Sequence, residues 1–410
     1  MPENIPGERA GARVLIYSHD SFGLGHLRRC RTIAHALVAA DPDLSVLILS
    51  GSPIIGSFDF GDRVDFVRIP GVIKLSDGDY TSLGLSSLDI AKTIALREAI
   101  IRQTADTFDP DLFIVDKEPL GLRGEVAETL KMLSARGTKC VLGLRDVLDE
   151  PALLAPEWNR KNVLPALEES YDEIWIYGLP QIYDTLGGID LPDSVHRKTV
   201  YTGYLKTAVP HSVTVPNPPF GERPYILVTA GGGGDGEGLF DWVLNAYEAD
   251  RSLLYPALVV LGPFMQTDVQ ERLLARVAVL PDVVALTFET HLEHLMSRAA
   301  GIVGMGGYNT FCEILSFDKP SLLIPRTQPR LEQYIRASRA QALGLTALLA
   351  DDGIRDGRVM ATALRQLTQQ APPSDVVIPG LLDGLANINR LVERGVGRAL
   401  RTPRAVGIAS

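Results

Sequence analysis

Residues 13–38 read RVLIYSHDSFGLGHLRRCRTIAHALV, and residues 225–247 read YILVTAGGGGDGEGLFDWVLNAY. Each is a short apolar run, then a glycine loop, then a helical repeat. In the first, Arg13-Val14-Leu15-Ile16-Tyr17-Ser18 predicts a strand, and Leu27, Cys30, Ile33, Ala34, Leu37 and Val38 recur at helical spacing. In the second, Tyr225 to Thr229 predicts a strand and residues 238–247 a helix. A strand that is apolar throughout, instead of in alternation, is covered on both faces. Repeated with helices between, such strands build a parallel sheet. The unit occurs twice, so the expected fold class is α/β, with two Rossmann-like, doubly wound domains facing across a cleft.

Working outward, apolar runs at 46–49, 64–69, 112–115, 140–144, 173–177 and 199–201 predict further strands of the first half, with helices over about 88–107 and 124–135. Runs at 257–261, 283–287, 301–304 and 320–325 do the same for the second half, with helices after Gly307 and over about 330–343. Residues 208–222 break the pattern with Pro210, Pro216, Pro218 and Pro219 and read as a linker. The expected domains are 1–207, a first Rossmann-like half; the linker 208–222; 223–380, a second Rossmann-like half; and 381–410, a terminal helix with a basic tail. A chain of 410 residues suits two cores of this size better than one.

The net charge of −10 argues against a nucleic-acid binder, since phosphate backbones reward basic surfaces. Cys30, Cys140 and Cys312 are too scattered for a disulfide framework or a metal motif, so no metal is expected. The first residues carry no apolar core of a signal peptide, and no run of about 18 apolar residues follows. The expectation is a cytoplasmic protein. Peripheral contact with the inner face of the membrane stays open, because Arg394, Arg398, Arg401 and Arg404 either touch lipid headgroups or are solvated.

Three glycine segments follow strands and open helices: Gly23-Leu24-Gly25, Gly231 to Gly236, and Gly304 to Gly307. Each alone is also what a tight turn requires. Three of them in two repeated halves point to an anion such as a pyrophosphate, approached by backbone N–H groups at helix N-termini. None is a dinucleotide fingerprint: the first has no third glycine at the right offset, and Leu49-Ser50-Gly51 stands where an acidic residue would end the second strand. No cofactor is expected.

His26 stands where the first loop becomes a helix. The helix N-terminus disfavours its cation, which leaves a neutral imidazole suited to a general base; the alternative is a histidine bonded to its own loop. His19, at the end of the first strand, is a second candidate. Glu313 invites two readings, a carboxylate for the hydroxyls of a ribose or the acid of a Thr310-x-x-Glu313 capping box; on the residues alone the capping box leads. Gln328 and Gln333 bracket a helix start and offer amides to sugar hydroxyls or to water. Asp77-Gly78-Asp79 reads as a surface turn before it reads as a metal-binding pair. Asp116, Lys117 and Glu118, with Arg145 and Asp146, end predicted strands and are expected to face the crevice as acceptor contacts, or else to form a salt-bridged rim.

The stretch SHDSFGLGHLRRCRTIAHAL resembles the opening loop and helix of GT-B glycosyltransferases related to the peptidoglycan lipid-intermediate N-acetylglucosaminyltransferase. It is at least as similar to the matching loop of the UDP-sugar hydrolase of pseudaminic acid biosynthesis, whose G-x-G-H-x-x-R-C pattern falls on Gly23, Gly25, His26, Arg29 and Cys30. In the second half, VGMGGYNTFCEILSFDKPSLLIPRTQPRLEQYIRA resembles the donor-binding signature of the transferases. The resemblance implies a GT-B fold with His26 as base. It implies that Gly231, Gly232, Gly233 and Gly234 hold the donor diphosphate, with Gly306, Gly307, Asn309 and Thr310 near diphosphate or sugar. It places Thr287 and Phe288 at the nucleobase edge, Glu313 on the ribose and Gln333 on the donor sugar. The chain departs from the pattern in a glycine loop without serine and in Glu332-Gln333, where a Gln-Gln pair is typical.

The function so implied is an inverting, metal-independent transfer of a sugar from a nucleoside diphosphate, by default uridine, to the hydroxyl of a small-molecule or lipid-linked acceptor. Hydrolysis of the same donor, or its non-catalytic binding, are the alternatives.

Overall fold

A computed structural model describes residues 11–19, 24–74, 79–85, 87–209 and 219–399. The expected doubly wound architecture is present twice. The first sheet holds β1 (Arg13–Ser18), β2 (Ser45–Ser50) and β3 (Val64–Arg68); a small antiparallel hairpin of β4 (Val72–Lys74) and β5 (Tyr80–Ser82) follows apart from it. The sheet continues with β6 (Leu112–Asp116), β7 (Lys139–Arg145), β8 (Glu173–Tyr177) and β9 (Thr199–Tyr201), in the order β3-β2-β1-β6-β7-β8-β9. The second sheet is β10 (Ile226–Thr229), β11 (Ala257–Val260), β12 (Val283–Leu286), β13 (Gly301–Gly304), β14 (Ser321–Leu323) and β15 (Ala347–Leu348), ordered β12-β11-β10-β13-β14-β15. Each sheet pairs in parallel throughout, with Val14 beside both Val46 and Leu112, and Ile226 beside both Ala257 and Gly301. In both, the strand order reverses beside the first strand, so the C-terminal ends of β1 and β10 lie at a switch point where ligands of such folds sit.

The helices of the first half are α1 (Gly25–Ala40), α2 (Ile90–Phe108), α3 (Ala127–Ala135), α4 (Pro151–Arg160), α5 (Leu164–Glu169) and α6 (Asp193–Lys198). Those of the second are α7 (Glu237–Ala249), α8 (Thr267–Val277), α9 (Leu292–Arg298), α10 (Tyr308–Ser316), α11 (Glu332–Ala342) and α12 (Gly357–Leu367). The last, α13 (Gly384–Ala399), returns to the first half and packs against α1 and β6.

The continuous apolar runs are buried for the reason the sequence gives. Val14, Leu15, Ile16 and Tyr17 are fully shielded because helices cover both faces of the sheet. One apolar cluster fills the outer face of each sheet, and a third runs from the first sheet into the second. Tyr204 stacks there on Tyr308 at 6.1 Å and meets Phe311 edge-on at 5.3 Å. Behind this apolar seam lies a buried ion pair between the halves, in which Arg336 donates to Asp146 through Nε at 2.8 Å and Nη2 at 2.5 Å.

The chain passes between the halves twice. After β9 it leaves the first half, and near Gly380 it comes back beside its own exit. Tyr204 N–H donates to the Leu381 carbonyl at 2.8 Å, and Gly384 N–H to the Tyr204 carbonyl at 3.1 Å. Ile388 and Val392 of α13 are then buried in the first half. Of the expected linker, residues 210–218 lie outside the described residues, as do Arg401 and Arg404 of the basic tail. Among the described residues no helix is long and apolar enough to cross a membrane.

Candidate active site

The C-terminal ends of the two sheets face each other across a cleft of about 240 Å³ lined by residues of both halves. On the first wall, α1 begins at Gly25 and carries His26 in its first turn. His26 Nδ1 lies 2.5 Å from Asp116 Oδ2, at the end of the neighbouring strand β6. Arg29, one turn along α1, donates to Asp116 Oδ1 through Nε at 2.9 Å and Nη2 at 2.6 Å. Asp116 is therefore acceptor for both, and it fixes the hydrogen of His26 on Nδ1, leaving Nε2 with its lone pair.

Electrostatics favour that state. Burial is the main influence on His26 and lowers its pKa to about 4, against the opposing pull of Asp116. Burial alone would raise the Asp116 carboxyl, but Arg29 and His26 outweigh it and hold Asp116 well below the usual carboxylate range. At neutral pH the pair is a neutral imidazole bonded to a carboxylate. His19 lies beside it, with ring centroids 5.8 Å apart and Nδ1 3.3 Å from the Tyr17 hydroxyl. Burial keeps His19 neutral as well.

On the opposite wall, the loop after β10 folds into an open cradle. Gly231 and Gly233 take φ of +69° and +86°, and a Cβ on Gly233 would fall 2.2 Å from the Leu261 carbonyl oxygen. Only glycine combines that φ with that approach. Among the described residues no protein acceptor takes the N–H groups of Gly232, Gly233, Gly234 or Asp235. The first turn of α10, capped by Gly307, opens into the same cleft, and Gly306 at φ +77° makes the turn into it. Two sets of unclaimed amides at helix N-termini so converge on one space, which suits a diphosphate.

The remaining expected residues divide. Phe288 and Gln333 wall the cleft, and Gln333 Oε1 also accepts from Arg326 N–H at 3.2 Å. Asn309 reaches across to donate to the Gly25 carbonyl at 3.0 Å, and Thr310 lines the same wall. Arg145 lines the cleft from the end of β7. Gly23 lies outside the described residues, as do Asp77 and Gly78. Several expectations are corrected. Asp116 does not face the crevice as an acceptor contact; it is 2% exposed behind His26. Asp146 is 1% exposed and fully occupied by Arg336 and the Tyr204 hydroxyl. Glu118 belongs to a salt-bridged rim, 2.8 Å from Lys161 Nζ. Thr287 is exposed and does not line the cleft; its carbonyl accepts from Gly262 N–H at 3.0 Å, and Phe288, Glu289 and Thr290 form the wall beyond it.

The capping-box reading of Glu313 is also corrected. Gly307 caps α10, so Thr310 already lies inside the helix, and no side chain caps it. Glu313 Oε1 instead accepts from Arg28 of the other half, and Oε2 is buried without a partner. Burial raises the Glu313 pKa to about 7, against the lowering effect of Arg28. Glu313 faces a second cavity of about 420 Å³ that shares Arg28, Arg29, Thr290, Tyr308 and Asn309 with the first. Sequence reading missed Arg28 and the role of Arg29. The signal for Arg29 was present, since it stands three residues after His26 on the same helical face.

Among the described residues no group of three or more His, Cys, Asp or Glu side chains is placed to hold a metal ion. No protein-family model and no curated protein matches the sequence. Solved structures do match in fold. CalG4, the calicheamicin glycosyltransferase, superposes with a TM-score of 0.57 at 16% identity, over 95% of this chain and 99% of that one. A UGT transferase from Siraitia grosvenorii, solved in complex with UDP, gives 0.57 at 14% identity, over 94% and 99%. The fold is GT-B. A Listeria monocytogenes protein assigned as a UDP-N-acetylglucosamine 2-epimerase gives 0.60 at 14% identity, over 97% and 98%, so the GT-B scaffold by itself does not choose the reaction.

Proposed function

We propose that the protein is an inverting glycosyltransferase that moves a sugar from a nucleoside diphosphate, uridine by default, to an acceptor hydroxyl. The observation that carries this reading is the neutral His26 imidazole, backed by the Asp116 carboxylate, on one wall facing a cradle of unclaimed amides on the other. Nε2 of His26 takes the proton of the acceptor hydroxyl as its oxygen attacks the anomeric carbon from the first half. The bond from that carbon to the diphosphate breaks. The Gly232–Asp235 amides and the α10 N-terminus receive the charge that develops on the leaving oxygen, without calling on a metal. Glu313, with Oε2 unclaimed, takes the ribose hydroxyls, and Gln333 with Glu332 takes those of the sugar. The match of the first loop and the donor signature supports kinship with the peptidoglycan N-acetylglucosaminyltransferase group. The acceptor is a small or lipid-linked alcohol entering from the first half.

A second reading, donor hydrolysis, is favoured by the G-x-G-H-x-x-R-C match and uses the same pair with water as nucleophile. One experiment tests both. The protein is incubated with UDP-sugars with and without a panel of alcohols, and products are followed by mass spectrometry. Glycoside formed only with an alcohol supports transfer, free sugar at equal rate without one supports hydrolysis, and absence of UDP binding removes both.

A further inference from the structure

Among the described residues four arginines line the cleft, and three of them are matched: Arg28 by Glu313, Arg29 by Asp116, and Arg326 by Asp235 and Glu332. Arg145 is not. Its guanidinium makes no hydrogen bond or ion pair with any described residue, and its Nε is buried without a partner. A guanidinium half removed from water and left unpaired is unfavourable unless a ligand completes it. The planar fork of arginine is matched best by a carboxylate or phosphate.

Position narrows the choice. Arg145 ends β7, next to the strand that carries Asp116, so it stands on the wall of His26 and opposite the glycine cradle. The diphosphate is already provided for by amides of the other half. The acidic side chain that most influences Arg145 is Glu332, whose Oε1 is held by Arg326 and whose Oε2 is buried and unclaimed. Glu332 and Gln333 are the groups assigned above to the sugar hydroxyls. On that reading the sugar ring occupies the space between His26, Arg145 and Gln333, where Arg145 meets its substituents.

We propose that Arg145 selects donors whose sugar carries a carboxylate, so that the transferred group is a uronic acid. This rests on the nucleotide-sugar reading above, and the test separates the two. Calorimetric titration of the full chain compares UDP, UDP-glucose and UDP-glucuronate. UDP-glucuronate is expected to bind at least roughly tenfold more tightly than UDP-glucose, the range of one added charge-assisted contact. Arg145→Gln is expected to erase that difference while UDP keeps its affinity, and Arg145→Lys to restore part of it. Equal binding of the two sugars by the wild type overturns the proposal and leaves the transferase reading intact. That comparison holds even where a variant does not fold. A loss of affinity for UDP itself in a folded Arg145→Gln variant overturns it too, by moving the contact to the diphosphate. If UDP does not bind, the nucleotide-sugar reading falls and this proposal with it.

Discussion

Replacing Asp116 by asparagine tests the core of the mechanism, and the structure sets the size of the effect. Asp116 accepts from His26 at 2.5 Å and from Arg29 at 2.9 and 2.6 Å. Asparagine keeps one acceptor oxygen, which the two Arg29 donors claim. Its amide nitrogen then faces His26 Nδ1, which has to accept, and the imidazole hydrogen moves to Nε2. A base whose lone pair has turned away loses its share of catalysis, on the order of 10²–10⁴ in turnover. The fold suffers separately. Arg29 and Asp116 are both 2% exposed, and a buried charge left without its opposite destabilises by about 3–5 kcal/mol. That corresponds to a fall in melting temperature on the order of 10 °C. Steady-state turnover, UDP binding and thermal unfolding of Asp116→Asn are measured together. A folded variant that binds UDP and keeps turnover within about threefold of wild type would remove the pair from the reaction.

Other outcomes follow from the same geometry. With His26 held near 4 by burial, the base form persists well below pH 6.5, so the acidic limb of the rate profile should fall near pH 4; a limb at 6.5 contradicts the burial. Gly233→Ala places a Cβ 2.2 Å from the Leu261 oxygen at a φ of +86°, which should cost about 1–3 kcal/mol and weaken UDP binding, read by thermal shift with and without UDP. Asp146→Ala strands Arg336 and should destabilise by about 3–5 kcal/mol in denaturant titration, whereas Asp146→Leu with Arg336→Met recovers most of it. Glu313 is 3% exposed and has its pKa raised from 4.5 to about 7, so the folded state holds the extra proton between those values. Stability should therefore decline as pH rises through that window, by about 3 kcal/mol from this group, and Glu313→Gln should flatten the slope.

The strands were legible because covering a sheet on both faces makes its residues apolar without interruption, as in Val14 to Tyr17 and Ile226 to Val228. The helices that went unread are mostly short, or amphipathic with few apolar positions: α4 starts on Pro151 and contains Pro156, and α8 buries only Val269 and Leu273. The glycine cradle was visible because close backbone approach admits one residue type. Partners were not. Asp116 lies 90 residues from His26, and Glu313 lies 285 from Arg28, so pairing depends on the folded topology that brings strand ends together. Arg145 was visible as a charge at a strand end, but its lack of a partner is a property only of the packed molecule.

The double crossing near Gly203 has a mechanical consequence. Two tethers lie side by side, and a side chain on Gly203 would meet the Gly380 carbonyl oxygen at 2.5 Å, while one on Gly384 would meet that of Gly203 at 2.6 Å. Paired straps resist torsion, and beside them the buried Arg336–Asp146 pair and the Tyr204–Tyr308 stack hold the two lobes together. The register between His26 and the glycine cradle is thereby fixed at the crossing as well as in the cleft.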